Sequence, residues 1–235
     1  MMLLQVDLLY NEFKMKKLSF ILISIIITTF YACEKDTESP VNMGYNYFPI
    51  ETANYSIYQV DSIVWDDYNQ TIDTFHFVVK LLIDSSFTDN SGRLSYRWKK
   101  YLKNDSSQWV FNTNYTITKS SQRLETIEEN MRYIKLIFPV VAGSNWDSEA
   151  LNIDDATNAI YSDVDFATSI LNINYDSCAQ VIYEEEVNLI QEIVHHEIYA
   201  RDVGMIYRKD IHKQNKLNFL QGYNVEYKLI EYGQE

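Results

Sequence analysis

The first residues to weigh for chemistry are His195-His196-Glu197. A zinc protease places two histidines one helical turn apart in H-E-x-x-H. Here His196-Glu197-Ile198-Tyr199 is followed by Ala200, so the second histidine is missing. On a strand, His195 and Glu197 share one face and His196 points away. Two ligands are too few for zinc, which takes about three or four from the protein. His76 or His212 would complete a site only through tertiary placement. The stretch therefore reads as a solvated strand face, with no metal expected. Asp163 and Asp165 lie two apart, hence on one strand face, with Asp154-Asp155 nearby. Calcium takes about six to eight oxygens, which acidic loops supply. No D-x-[DN]-x-[DN]-G loop is present, so acidic surface is the plainer reading. The chain also has four tryptophans, Trp65, Trp98, Trp109 and Trp146. Exposed, they would stack on sugars. Buried, they would fill a core, and burial is the expectation. Cys178 alternates with Gln180 and Ile182, as a buried inert thiol would.

Several chemistries are excluded. The six glycines, Gly44, Gly92, Gly143, Gly204, Gly222 and Gly233, are too far apart for G-x-G-x-x-G or a P-loop. G-x-S-x-G is absent, which removes the usual hydrolase elbow. A net charge of −13 and a pI near 4.7 exclude a nucleic-acid backbone as partner, since lysine and arginine must supply that binding. A carboxylate pair for glycoside hydrolysis cannot be singled out among so many acids without geometry.

Cys33 carries the strongest signal. Lys14, Lys16 and Lys17 form a positive cluster, and an uncharged, isoleucine-rich run follows from Leu18 to Ala32. That run is short for a membrane span, which needs about 20 apolar residues. A basic cluster, a short apolar run and a small residue before the cut make a secretory signal. Met15 is the better initiator, because Asp7 and Glu12 sit poorly in the basic part of a signal. Residues 1–14 then read as an over-extended start and 15–32 as the signal peptide. Phe30-Tyr31-Ala32-Cys33 resembles a bacterial lipobox, in which the chain is cut before an acylated cysteine. Ala32 and Cys33 match that pattern. Phe30 and Tyr31 depart from its usual leucine and small residue. With Cys33 lipidated, Cys178 stands alone and no disulfide forms. The rival is a Cys33–Cys178 disulfide in an ordinary secreted protein. Residues 33–43 read as a tether. Cleavage moves the net charge from −13 to −14, because Asp7 and Glu12 leave together with Lys14, Lys16 and Lys17. So acidic a body is repelled by anionic headgroups and suits a tether better than contact with the membrane.

The elements that must position these residues are strands. From Tyr55 onward the period is two, and Tyr, Ile, Val, Phe and Thr dominate. Phe75, Phe77, Val79, Leu81 and Ile83 alternate with a mostly polar face. Leu94, Tyr96, Trp98 and Leu102 repeat the pattern, as do Ile134, Leu136 and Phe138 and later Tyr223, Val225, Tyr227 and Leu229. Asp89-Asn90-Ser91-Gly92, Asn104-Asp105-Ser106-Ser107 and Glu128-Glu129-Asn130 are turn clusters. Ile193 to Ala200 and Met205 to Lys209 form a hairpin around Arg201–Gly204. Tyr183 to Ile193 has some helical character, but it is short enough that strand with loop is preferred. The expectation is all-β: an antiparallel meander of about 10–12 strands in residues 44–235, forming a curved half-barrel, a lipocalin-like barrel or a sandwich, preceded by the signal helix.

Tyr47-Phe48-Pro49-Ile50, followed by the strand start Asn54 to Ser62, resembles the opening of a family of small Bacteroidota envelope lipoproteins. Phe138-Pro139-Val140 with Gly143 and Trp146, and Ala200 to Tyr207, resemble later parts of the same pattern. The family's Gly and Trp at the strand start are replaced here by Ala53 and Tyr55. The resemblance implies an all-β fold and a lipidated Cys33, and it brings no catalytic residue or cofactor. It points to a lipoprotein of the cell envelope, at the outer membrane, facing the periplasm or the surface. Long apolar strand faces add the expectation of a non-catalytic cup for an apolar ligand or a protein partner. A carbohydrate-active or other hydrolytic lipoprotein is the alternative.

Overall fold

The computed structural model describes residues 41–153, 156–216 and 219–235. The signal region, Ala32, Cys33 and the tether as far as Pro40 lie outside the described residues, as do Asp154 and Asp155. The period-two runs become twelve strands: β1 (Asn54–Asp66), β2 (Thr71–Thr88), β3 (Leu94–Lys103), β4 (Trp109–Lys119), β5 (Arg123–Glu128), β6 (Met131–Ile137), β7 (Asn145–Asp147), β8 (Asn158–Ile170), β9 (Ile173–Val187), β10 (Gln191–Ala200), β11 (Gly204–Lys216) and β12 (Phe219–Gln234). Among the described residues the only helix is a single 3-10 turn, Tyr45–Tyr47. Tyr183 to Ile193 is strand, turn and strand, as the sequence suggested. The tight turns at Glu129-Asn130 and Leu171-Asn172 hold both central residues at positive φ, the geometry that matches strand twist.

All twelve strands lie in one sheet of order β6-β5-β4-β3-β2-β1-β12-β11-β10-β9-β8-β7. β1 pairs antiparallel with β12 from Asn54↔Gln234 to Trp65↔Gly222. The first and last strands therefore meet in mid-sheet, and the two free edges, β6 and β7, come from the middle of the chain. The sheet curls into a nearly closed barrel, and those edges face each other across a seam. Side chains and loop groups replace the missing ladder there. Asn152 bonds both the N–H and the C=O of Arg132 (3.0 and 2.9 Å). The Ile134 N–H donates to the Ser148 carbonyl (2.8 Å), and the Trp146 indole donates to the Ile134 carbonyl (2.8 Å). The Tyr161 hydroxyl bridges the N–H and C=O of Ile137 (3.0 and 2.8 Å). Buried backbone groups need such partners, and an open edge without them invites pairing with other chains.

One end of the barrel is plugged by the segment before β1. Tyr47 and Phe48 are buried among Tyr199, Met205, Phe138 and Val140 in the main apolar cluster. Lys119 Nζ donates to the carbonyls of Tyr45 and Phe48 (2.6 and 2.8 Å) and ties the plug down. Its burial lowers its pKa to about 8. The main interior cluster also takes Tyr58, Val60, Val79, Leu81, Ile83, Ile117, Leu124, Leu136, Val181, Ile206 and Leu229, from both sides of the β1–β12 junction. The expected alternation of β2 holds for Val79, Leu81 and Ile83, but Phe75 is exposed because β2 outruns its neighbour. β3 pairs with β2 only from Val79 to Thr88, so Thr71 to Val78 has a strand partner on one side only.

Candidate functional site

At the end away from the plug the barrel holds a cup of about 530 Å³, lined chiefly by β4–β6 and β9–β12. Beneath its floor sits Glu197, which lines the adjoining narrow void and not the cup itself. This residue belongs to β10, where His195, Glu197 and Tyr199 share the inner face, and its side chain is 1% exposed. Lys135 Nζ donates to Glu197 Oε1 at 2.9 Å and lies 3.7 Å from Glu128. The Tyr183 hydroxyl shares its proton between Glu197 Oε2 and the Lys135 carbonyl, each 2.9 Å away. Tyr199 donates to the same Oε2. Arg208 stands 3.8 Å from Glu197, 3.7 Å from Glu128 and 3.3 Å from Asp210. His195 Nε2 lies 3.6 Å from Glu197 Oε1, with its ring against that of Tyr183 (centroids 4.6 Å apart).

Two members of this cluster are placed by β-bulges. The β5–β6 register passes from Leu124↔Leu136 to Glu125↔Ile134, which leaves Lys135 as the extra residue. The β9–β10 register passes from Glu184↔His195 to Ile182↔His196, which leaves Tyr183 as the extra residue. A bulge re-aims the side chain it carries. Strict alternation would have turned Lys135 away from Leu136 and toward solvent. The bulge brings it into the barrel.

The charges set one another. Burial pushes the Glu197 carboxyl up, but Lys135, His195 and Arg208 outweigh it and hold the pKa well below the usual carboxylate range. Glu128 is likewise raised by burial and more strongly lowered by Lys135 and Arg208. Burial, and then the Glu197 charge, drive the Tyr183 and Tyr199 phenols well above their ordinary value. His195 Nε2 and Arg208 Nε are buried and face Glu197 Oε1 at 3.6 and 3.8 Å, too long for a hydrogen bond. A narrower void of about 40 Å³ separates the cluster from Phe48, Leu81 and Met205 on the plug side. It has room for a water molecule.

Lys100 completes the lining on the β3 side. It bounds both the cup and the narrow void. Tyr115, Tyr133, Tyr223 and Tyr227 add four aromatic faces. Lys100 was readable in the sequence, since it interrupts the apolar series Leu94, Tyr96, Trp98 and Leu102 on its own face. A second cavity, of about 420 Å³, opens beside the plug at Phe48, Trp98, Met205 and Tyr232.

The sequence expectations fare unevenly. His195 and Glu197 do share a face and His196 does point away, but the face is not solvated: Glu197 is buried at the centre of the cluster. Its charge is tolerated there because cations arrive from β6 and β11. Asp163 and Asp165 do not form one acidic strand face. Register shifts interrupt β8 on both sides of Val164, and Asp165 has φ 59°. Asp165 instead accepts bonds from Tyr47 (2.7 Å), Ser177 (2.5 Å) and Arg201 (2.9 Å), a latch on the plug. Among the tryptophans Trp146 is buried, while Trp65, Trp98 and Trp109 are half-buried. Trp98 packs on the main cluster, and Lys213 and Lys103 lie over Trp65 and Trp109. Cys178 is a free, buried thiol, raised to about 11 by burial. Among the described residues no group of three or more His, Cys, Asp or Glu is arranged to hold a metal ion. The wall of the cup carries ionised groups of both signs beside its aromatic and aliphatic faces.

No family model matches the chain, and no curated protein matches it. Two solved structures are similar. One is a Bacteroides fragilis protein described as exported and as having a YmcC-like fold, with 11% identity, a TM-score of 0.42, and coverage of 80% of this chain and 98% of that one. The other is a Parabacteroides distasonis protein described as a lipoprotein, with 13% identity, a TM-score of 0.38, and coverage of 82% and 100%. Neither likeness carries an inference about this chain.

Proposed function

We propose that the chain is a lipid-anchored cell-envelope protein of the outer membrane whose barrel binds a saccharide in the charged cup and does not turn it over. The observation that carries the binding reading is the lining: four tyrosines interleaved with Lys100, Lys135 and Arg208 and with Glu128, Glu184 and Asp210, around about 530 Å³. Small-ligand sites have about this volume. An apolar ligand would strip water from these ions and leave unpaired donors buried, which costs several kcal/mol. Sugar hydroxyls both donate and accept, and a sugar's C–H faces stack on aromatic rings. A wall of mixed sign with tyrosine faces suits that chemistry. Binding is favoured over hydrolysis because a glycoside hydrolase needs one carboxyl kept protonated as the acid. Lys135 and Arg208 hold both Glu128 and Glu197 ionised.

Titration calorimetry of the full chain with a panel of mono- and disaccharides tests the binding reading. Saturable binding is expected, weakened about threefold to tenfold by Tyr223→Ala, as loss of one aromatic face implies. Uptake of a fatty acid or hydrophobic dye, with no saccharide bound, would overturn it in favour of an apolar carrier. The anchor is tested separately by mass spectrometry of the mature N-terminus. A lipid-modified Cys33 is expected, and an unmodified N-terminus refutes the anchor.

A further inference from the structure

The three cations of the cup are not equivalent. Lys135 is committed to Glu197 and Glu128, and Arg208 to Glu128, Glu197 and Asp210. Among the described residues Lys100 forms no ion pair with a carboxylate. Its ammonium lies 5.9 Å from the centre of the Tyr115 ring, and the phenols of Tyr115 and Tyr227 are the groups that stabilise its charge. It is half-buried and borders both the cup and the narrow void. The two phenols outweigh its burial and keep it charged, and no carboxylate neutralises that charge, so it is available to pair with a bound anion. The other nitrogens nearby are already turned to a carboxylate: His195 Nε2 and Arg208 Nε both face Glu197 Oε1, at 3.6 and 3.8 Å. Lys100 is therefore the cation at the cup that no carboxylate claims.

We infer that the saccharide bound in the cup carries one anionic substituent, which pairs with Lys100. This rests on the saccharide reading above and names the ligand class within it. One substituent is the limit, because one cation is spare. Glu129 and Glu184, exposed at the cup's lining, oppose a polyanion. A charge-assisted bond in a half-buried site is about twice as strong as a neutral one. A tenfold preference over the neutral parent sugar corresponds to about 1.4 kcal/mol.

The test compares a hexuronate and a hexose sulfate with their neutral parent hexose, by titration calorimetry on the full chain at neutral pH. The result expected is that at least one of the two acids binds about tenfold tighter than the hexose. The acid that binds identifies the substituent as carboxylate or sulfate. Lys100→Met should bring the acid-to-neutral ratio close to one, and Lys100→Arg should restore it. That rescue separates a charge contact from a folding defect, as does a native circular dichroism spectrum of Lys100→Met. Equal binding of acids and hexose, or a ratio unmoved by Lys100→Met, overturns this inference and leaves the saccharide reading standing. Binding of none of the three sugars overturns both.

Discussion

Lys135→Met is the sharpest perturbation the structure offers. Lys135 is 6% exposed and Glu197 1% exposed, and they meet at 2.9 Å. Methionine has about the length of the lysine stem, so the change removes the charge and leaves no large cavity. Breaking a buried pair by removing one partner costs about 3–5 kcal/mol. Arg208, 3.8 Å from Glu197 and 3.7 Å from Glu128, recovers part of that. The loss should therefore fall near the lower bound, about 3 kcal/mol. For a chain of this size about 1 kcal/mol moves Tm by roughly 2–4 °C, so Tm should fall by roughly 6–12 °C. Thermal and urea unfolding followed by circular dichroism at neutral pH measure it. The double variant Lys135→Met with Glu197→Gln should be more stable than the single one. It removes both charges and keeps an acceptor for Tyr199, while Tyr183 keeps the carbonyl of residue 135. The pH dependence has a definite sign. Glu197 and Glu128 have folded-state pKa values below the unfolded value of about 4.3, so their contribution is full above that pH and is lost as pH falls through the folded values. Lys135→Met weakens that depression, so the Tm gap between wild type and variant should narrow as pH drops from 7 toward 3. A loss under about 1 kcal/mol, or a double variant no better than the single, would refute the idea that Glu197 is a buried ion dependent on Lys135.

Three further outcomes follow from other parts of the barrel. Gly222 has φ 134°, and a Cβ there would stand 1.8 Å from the His212 carbonyl oxygen on the paired strand. Gly222→Ala should therefore cost at least about 2–3 kcal/mol in thermal unfolding, where Gly92→Ala, with open space around it, should cost about 1 kcal/mol. Cys178, buried and with its thiol raised to about 11, should stay unlabelled by a thiol reagent at pH 8 until denaturant is added; prompt labelling of the folded protein would contradict its burial. In hydrogen exchange, amides of Thr71 to Val78, which lack a β3 partner, should exchange much faster than those of Val79 to Ile83 on the same strand. Uniform protection along β2 would mean that the open edge is covered, for example by another molecule.

How much of this was legible in the sequence depends on the range of the interaction. Alternation and turn residues act over a few positions, and they place strands such as β2, β3 and β12 and the β10–β11 hairpin close to where they fall. The β1–β12 pairing, from Asn54↔Gln234 to Trp65↔Gly222, joins the two ends of the described chain and leaves no local mark. Without it the barrel, the half-barrel and the sandwich were equally consistent with the pattern. The site was hidden for a related reason. A period-two reading assigns the core to the more apolar face, and on β10 that choice favours Val194 and Ile198 over His195, Glu197 and Tyr199. The structure turns the polar set inward, because a buried Glu197 is tolerable only with Lys135 from β6 and Arg208 from β11 beside it. Lys135 is itself on the inside through a one-residue bulge, and a bulge inverts the face of every residue inferred by counting from it. Lys100 is the informative exception. It stands in register with Tyr96, Trp98 and Leu102, where an apolar residue belongs. A charge at an inward position on an otherwise regular strand marks a place where packing has yielded to another demand, which the proposed binding supplies.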